Sequence, residues 1–370
     1  MGIGFLIIWH SKERLLFSVA GIAMAVAIMF LEQGFYYAVL DSQARITPLI
    51  NGELVVVHRD RTHLNKWNSL ERAQIHRVAA LRGVERVIPV YKINARLYNE
   101  DADRQRRVLV YAFPADAMPL KIGDPDEVLS RLRLARTVLF DRRSRDIYGQ
   151  LQPGTDLEID GAMYRFDGFV DIGPDLVSDG ALVMSEGTLF ERHPSISPVM
   201  AVLQLVENAD PASVRERMME SFTNIMVMTP SALAAREMHF IKHSAPIGII
   251  FGIGMVAGLV IGVVVCYQVL FNQIIDLLPQ YATLTAMGFS QVFIARLVVE
   301  QALLMCLTGY VVAVPVVWYL FTLLADHTRM VMALDLDRGL FVFGLTVFIG
   351  VLAALLALQT ALRANPADLY

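Results

Sequence analysis

APIGIIFGIGMVAGLVIGVVVCYQVLF, residues 245–271, carries no Asp, Glu, Lys, Arg or His. A helix needs about 20 apolar residues to cross the hydrocarbon core of a bilayer, so this stretch is long enough to span. It lies in a longer interval, from Lys242 to Asp276, with no Asp, Glu, Lys or Arg inside it. Three more stretches share the property. The first runs uncharged from Leu15 to Leu31 and continues past Glu32 through Gly34-Phe35-Tyr36-Tyr37. Another lies between Glu300 and Asp326, and the last between Arg338 and Arg363. Four membrane-spanning helices are therefore expected at 15–38, 245–271, 301–325 and 340–362.

Charge is partitioned accordingly. Residues 39–243 hold 26 of the 32 Lys+Arg and 28 of the 36 Asp+Glu of a 370-residue chain. A soluble chain carries roughly 25% charged residues, whereas this one carries 18% and has a mean hydropathy of +0.48. The sequence thus predicts a helical membrane protein with one large water-soluble domain between its first and second spans. A net charge of −4 argues against a nucleic-acid binder, which needs a basic face. Both cysteines, Cys266 and Cys306, fall in apolar runs, so no disulfide framework or zinc cluster is legible.

Lys12 and Arg14 precede the first span as they would a signal peptide, and Ser42-Gln43-Ala44 resembles a weak cleavage site. The apolar run exceeds the 7–15 residues of a cleavable segment, so it reads as an uncleaved anchor. Basic residues favour the cytoplasmic side, which places the N-tail 1–14 inside. An even number of spans then puts the 272–299 segment and the C-tail 363–370 inside as well. Residues 39–243 and the 326–339 loop face out.

The outer domain reads as α+β. Glu53–His58 and Val84–Tyr91 are strand-like, with a helix between them that Ser69 would cap and Gly83 would end. The pattern recurs: strand Val199–Val206, Asp210-Pro211 as a helix start, then strand Ile225–Met228. Two such halves suggest a split β-α-β core, ferredoxin-like, around a β-rich insertion at 120–195. That insertion holds strands at Thr137–Phe140, Asp156–Asp160, Tyr164–Val170 and Ala181–Met184, broken by Asp-Gly and Pro-Gly turns.

No catalytic or cofactor-binding motif emerges. A P-loop needs a lysine directly after glycine, and none of Lys12, Lys66, Lys92, Lys121 and Lys242 follows one. There is no His-Glu-x-x-His and no Gly-x-Ser-x-Gly elbow. His239 and His243, one helical turn apart, read as a juxtamembrane polar turn rather than metal ligands. Asp156-x-Glu158-x-Asp160-Gly161 partly mimics a calcium loop, but Leu157 and Ile159 alternate with the acids as in a half-buried strand ending in a turn.

Inside the spans, Gly254, Gly258 and Gly262 form two successive Gly-x-x-x-Gly steps, a face that admits close helix approach within the chain or across a dimer. Glu32 is an acid near the outer end of the first span, and intramembrane acids are functional candidates. The 272–299 segment carries only Asp276 and Arg296 as charges. Pro279 is expected to break the helix there, leaving Tyr281, Leu284, Met287 and Phe289 on a short turn that ends at Gly288.

These residues carry a resemblance. Gln280-Tyr281-Ala282-Thr283-Leu284-Thr285-Ala286-Met287-Gly288-Phe289-Ser290, with Glu300-Gln301-Ala302, resembles the cytoplasmic motif of FtsX/MacB-like ABC transporter permeases, the DevC-type branch above all. Trp9, Lys12, Arg14-Leu15, Met29–Phe35, Leu40-Asp41-Ser42 and Ala364-Asn365-Pro366-Ala367-Asp368-Leu369 agree with that branch. Where many relatives carry charges in the motif, this chain has Gln280 and Thr285. The resemblance implies a mechanotransmission permease in a bacterial inner membrane with its large domain in the periplasm. A separate ABC ATPase holding ATP and magnesium would dock on Gln280, Tyr281, Leu284, Met287, Gly288 and Phe289. The permease would pair with a second copy of itself and pass motion to a membrane-fusion adaptor and outer-membrane channel, exporting a lipid or other amphiphile. The alternative is an FtsX-like scaffold that regulates a cell-wall hydrolase.

Overall fold

The computed structural model describes residues 12–43, 45–64, 69–99, 104–149, 151–173, 178–328, 332 and 334–363. Trp9 and the Ala364–Leu369 motif lie outside them. Nine α-helices and nine strands are described. In chain order they are α1 (Lys12–Gln43), β1 (Leu54–His58), α2 (Arg72–Ala79), β2 (Val84–Asn99), β3 (Arg104–Phe113) and α3 (Pro125–Leu132). Next come β4 (Thr137–Asp141), β5 (Asp156–Ile159), β6 (Ala162–Val170), β7 (Ala181–Ser185), α4 (Glu186–Phe190) and β8 (Met200–Leu205). The chain continues with α5 (Pro211–Ser221), β9 (Ile225–Met228), α6 (Pro230–His243), α7 (Pro246–Ala286), α8 (Gln291–Thr328) and α9 (Leu336–Arg363). Two compact units result, one of them Val39–Gly248 with a few residues near 330, the other formed by the remaining helices.

In the α/β unit, β2 does double duty. Its first half, Val84 to Val90, pairs antiparallel with β8, and β8 continues through β1 to β9. The order β2-β8-β1-β9 interleaves the strands of the two β-α-β segments. The helices α2 and α5 cover one face, where Val78, Val214 and Met218 pack on Leu54, Val56, Leu203 and Val227. From Tyr91 onward, β2 instead pairs with β3 in a long hairpin. β3 runs parallel to β7, β7 antiparallel to β4, β4 parallel to β6 and β6 antiparallel to β5. β5 returns to β2 at Ile159 opposite Leu97, so six strands close a ring. Alternate residues of all six, among them Leu97, Val110, Phe140, Phe166 and Leu182, join one buried cluster.

Local signals explain the element starts. The Asp210 carboxylate accepts from the amides of Ala212 and Ser213, with Pro211 at the first helical position. Asp124, Ser185 and Thr229 cap α3, α4 and α6 in the same way; each such cap is worth about 1 kcal/mol. The expected Ser69 cap is corrected: α2 starts at Arg72, and Glu71 with Gln74 forms a reciprocal capping box. The box satisfies two amides at once, which a lone serine two residues earlier does not. Strand β3 was not expected, because Arg104, Arg106 and Arg107 hide its apolar alternation.

The other unit consists of α1, α7, α8 and α9. Each has a segment apolar enough to cross a membrane: Leu16–Ser42, Gly248–Val269, Gln291–Ala325 and Leu336–Leu356. Pro279 does not break the helix that leaves the second span, which runs on without interruption to Ala286. A helix tolerates an internal proline at roughly 3 kcal/mol, and the same unit holds Pro315 inside α8. The helices approach closely at glycines. A Cβ on Gly309 would stand 2.6 Å from Ile22 Cγ2, and one on Gly21 would stand 3.2 Å from Val269 Cγ2. Gly34 and Gly350 similarly face Phe321 and Cys306.

Candidate functional site

Two places in the helical unit carry the residues singled out above. The first is the turn between α7 and α8. The α7 helix has 41 residues, about 60 Å at 1.5 Å per residue, roughly twice the thickness of a hydrocarbon core. Helical backbone therefore extends well beyond the apolar stretch, and the expected separate short turn is replaced by a helical hairpin.

That hairpin closes in four residues. Gly288 has φ +92°. The Phe289 amide donates to the Leu284 carbonyl at 3.1 Å, and the Met287 amide donates to Thr283 at 3.0 Å. This is the glycine-terminated motif that satisfies the last carbonyls of a helix. The next helix starts at once, with Ser290 Oγ accepting from the Phe293 amide at 3.3 Å. Phe289 and Phe293 stack with centroids 4.7 Å apart.

Three apolar side chains stand out at the tip: Met287 is 63% exposed, Phe289 40% and Val292 78%. Leu284 is half-buried. The side chains of Gln280 and Tyr281 lie outside the described residues. Val292 was missed in the sequence, although an apolar residue two positions after a helix-capping serine is the signal that would have found it.

The second place is the glycine face of α7. A Cβ on Gly254 would stand 3.0 Å from Glu32 Oε2, and one on Gly258 would stand 2.9 Å from Glu32 Cγ. Gly262 faces Met29 at 3.4 Å. The seam thus receives α1 of the same chain, with Glu32 lying along it. Gly252, on another side of the helix, has nothing within 4 Å. Near the start of α9, the Arg338 guanidinium sits 4.4 Å over the Tyr37 ring and pairs with Asp335 at 3.3 Å.

The weaker patterns resolve locally. His239 and His243 stack at 4.3 Å on the exposed face of α6. Among the described residues no group of three or more His, Cys, Asp or Glu is placed to hold a metal. Asp160 and Gly161, with φ of +47° and +78°, form the turn of the β5–β6 hairpin. Asp160 Oδ1 accepts from the Arg96 amide at 3.1 Å.

Four membrane-length helices, a large α/β unit between the first two, and an apolar tip where the second meets the third define the class of a membrane subunit with an extramembrane domain. Residues 252–366, less than half of the chain, match the family model described as FtsX-like permease C-terminal. No curated protein matches the chain. Among solved structures, the periplasmic region of MacB from Actinobacillus actinomycetemcomitans aligns at 13% identity and TM-score 0.38, over 51% of this chain and 94% of that one. The extracellular domain of the noncanonic ABC-type transporter YknZ from Gram-positive bacteria aligns at 15% identity and TM-score 0.34, over 48% and 98%. No fold assignment follows from likenesses at that level.

Proposed function

We propose that this chain is the permease subunit of an ABC transporter, and that a separate ATPase docks on the α7–α8 turn. The observation that carries the reading is the exposed Met287, Phe289 and Val292 at the end of a helical hairpin, inside the region that matches the FtsX-like permease C-terminal model. Apolar side chains clustered in water favour a partner that covers them. Set on a helix end, they suit a groove. ATP and magnesium would belong to that partner, and the chain itself would be non-catalytic.

The finer reading is mechanotransmission. ATP-driven closure of the ATPase would move the tip, the continuous α7 would carry the displacement through the membrane, and the outer α/β unit would respond. The protein would work as a homodimer in the inner membrane of a bacterium. A membrane-fusion adaptor and outer-membrane channel would receive the motion, expelling a lipid or other amphiphile. Gln280 and Thr285 in place of charged residues leave apolar contact as the main docking force.

The test is co-purification and stimulated ATP hydrolysis in the reconstituted complex. Met287→Asp and Leu284→Asp each place a carboxylate where it must be desolvated on docking. Loss of association and of stimulation is expected; wild-type behaviour of both variants would reduce the turn to an interfacial loop.

A further inference from the structure

Arg45 follows closely on Ser42, where the apolar segment Leu16–Ser42 of α1 ends. Its guanidinium is laid against the backbone of Gly173. Nε donates to the Ile172 carbonyl at 3.1 Å, and a Cβ on Gly173 would stand only 2.6 Å from Nη2. A glycine leaves room for the cation there, and the φ of +93° at Gly173 also suits a glycine. Lys92, on β2, is paired with Tyr111 of β3, and its Nζ lies 5.6 Å from the Tyr111 ring centroid. Arg45 and Lys92 are two walls of one cavity of about 20 Å³, with Ser42, Ile46, Leu109 and Ile172 among the others.

Two carboxylates act on these cations, Asp141 on Arg45 and Glu237 on Lys92. Backbone amides hold both. Asp141 accepts from the amides of Arg143, Ile172 and Gly173 at 3.2, 2.9 and 2.8 Å, and Glu237 accepts from the Leu64 amide at 2.9 and 3.0 Å. Burial, together with Arg143, disfavours the Arg45 charge more than Asp141 favours it. An anion in the cavity would correct that imbalance.

We propose that Arg45 and Lys92 form a binding site for a phosphate group, supplied by the headgroup of a phospholipid.

The chemistry of the walls selects phosphate. A guanidinium presents a planar fork that matches phosphate oxygens, and an ammonium adds a compact point charge. The volume admits one or two water-sized groups, so phosphate oxygens enter while the rest of the molecule stays at the mouth. Lipid headgroups lie just beyond the hydrocarbon core, and the cavity begins at the residue where the apolar segment of α1 ends. That position makes a lipid the source. The site is separate from the α7–α8 turn and does not depend on the ATPase reading.

Native mass spectrometry of the full chain in detergent, titrated with phosphatidylglycerol, tests this. Arg45→Gln and Lys92→Gln should each weaken the tightest lipid binding by about tenfold, the effect of losing one charge-assisted hydrogen bond. Arg143→Gln removes an equal charge near Arg45 but none of the cavity walls, so it should bind as the wild type does. Diacylglycerol, which lacks the phosphate, should not distinguish the wild type from the variants. Equal retention of phosphatidylglycerol by the wild type and both wall variants, or an equal loss in Arg143→Gln, would overturn the site. Inorganic phosphate at the lipid's own concentration should leave the lipid bound; equal competition would make the ligand free phosphate and overturn the lipid assignment. If Arg45→Gln does not fold, the comparison of Lys92→Gln with Arg143→Gln still decides it.

Discussion

Glu32 lies along α7 so closely that a Cβ on Gly258 would stand 2.9 Å from its Cγ. The acid and the glycine thus define one intrachain seam, in which the absence of a side chain on α7 makes room for a carboxylate on α1. Helices in lipid gain little from burying apolar surface, so close backbone approach at small residues supplies much of their association.

A graded series of alanine substitutions tests whether such glycine contacts hold the helices together. Gly309→Ala would press on Ile22 Cβ at 3.0 Å and the Ala23 amide at 3.3 Å, atoms fixed to the backbone. It should cost about 1–3 kcal/mol. Gly258→Ala should cost less, because Glu32 can rotate away, and Gly252→Ala should be neutral. Thermal unfolding in detergent gives the order. Equal effects at all three positions would show that packing within the chain is not what these glycines serve.

The hairpin turn makes a separate prediction. A Cβ on Gly288 meets nothing within 4 Å, yet its φ is +92°. The penalty for a side chain is therefore conformational, about 1–2 kcal/mol for a β-branched residue. Gly288→Val should weaken ATPase stimulation while Gly288→Asn is tolerated, since asparagine enters the left-handed region more readily. Failure of both variants alike would point to a steric requirement from a partner.

Glu237 also predicts how the α/β unit responds to pH. Its folded pKa is raised to about 7, so its contribution to stability is full below the ordinary carboxylate value and is lost as the pH rises through 7. Relative to Glu237→Gln, the wild type should lose on the order of 3 kcal/mol between about pH 4.5 and 7.5. Calorimetric melts of both proteins across that range give the difference. Parallel curves would remove Glu237 as the cause.

Arg61 should not be replaceable by lysine. Its planar guanidinium serves three carbonyls, those of His63, Leu64 and Val199, in one buried site. An ammonium lacks that fork, and each carbonyl left unsatisfied costs about 1–3 kcal/mol. Arg61→Lys is expected to lower the melting temperature and expose the 59–64 loop to protease. Wild-type resistance would mean the loop is held by other contacts.

Topology is testable at two exposed positions in a background lacking Cys266 and Cys306. Glu220→Cys on α5 should react with an impermeant thiol reagent in intact cells, and Val292→Cys should react only after permeabilisation. The reverse pattern would invert the orientation argued from Lys12 and Arg14.

The spans were legible because the signal is local: a run of apolar side chains is readable residue by residue, and Leu16–Ser42 and Gly248–Val269 needed no partner to be recognised. Helix starts such as Asp210-Pro211 and the turn glycine Gly288 were legible for the same reason, since their hydrogen bonds close within a few residues. Pro279 misled because proline's effect on a helix depends on the structure around it. Only tertiary structure decided that β2 changes partners at Tyr91, from β8 to β3, and that six strands close a ring. Strand pairing joins residues far apart in sequence and leaves no periodic trace of which partner is chosen. The two carboxylates of greatest interest, Glu32 and Glu237, look alike in sequence. One meets glycines on α7 and the other a loop amide 173 residues away, because burial and hydrogen bonding arise only when distant segments share one small volume.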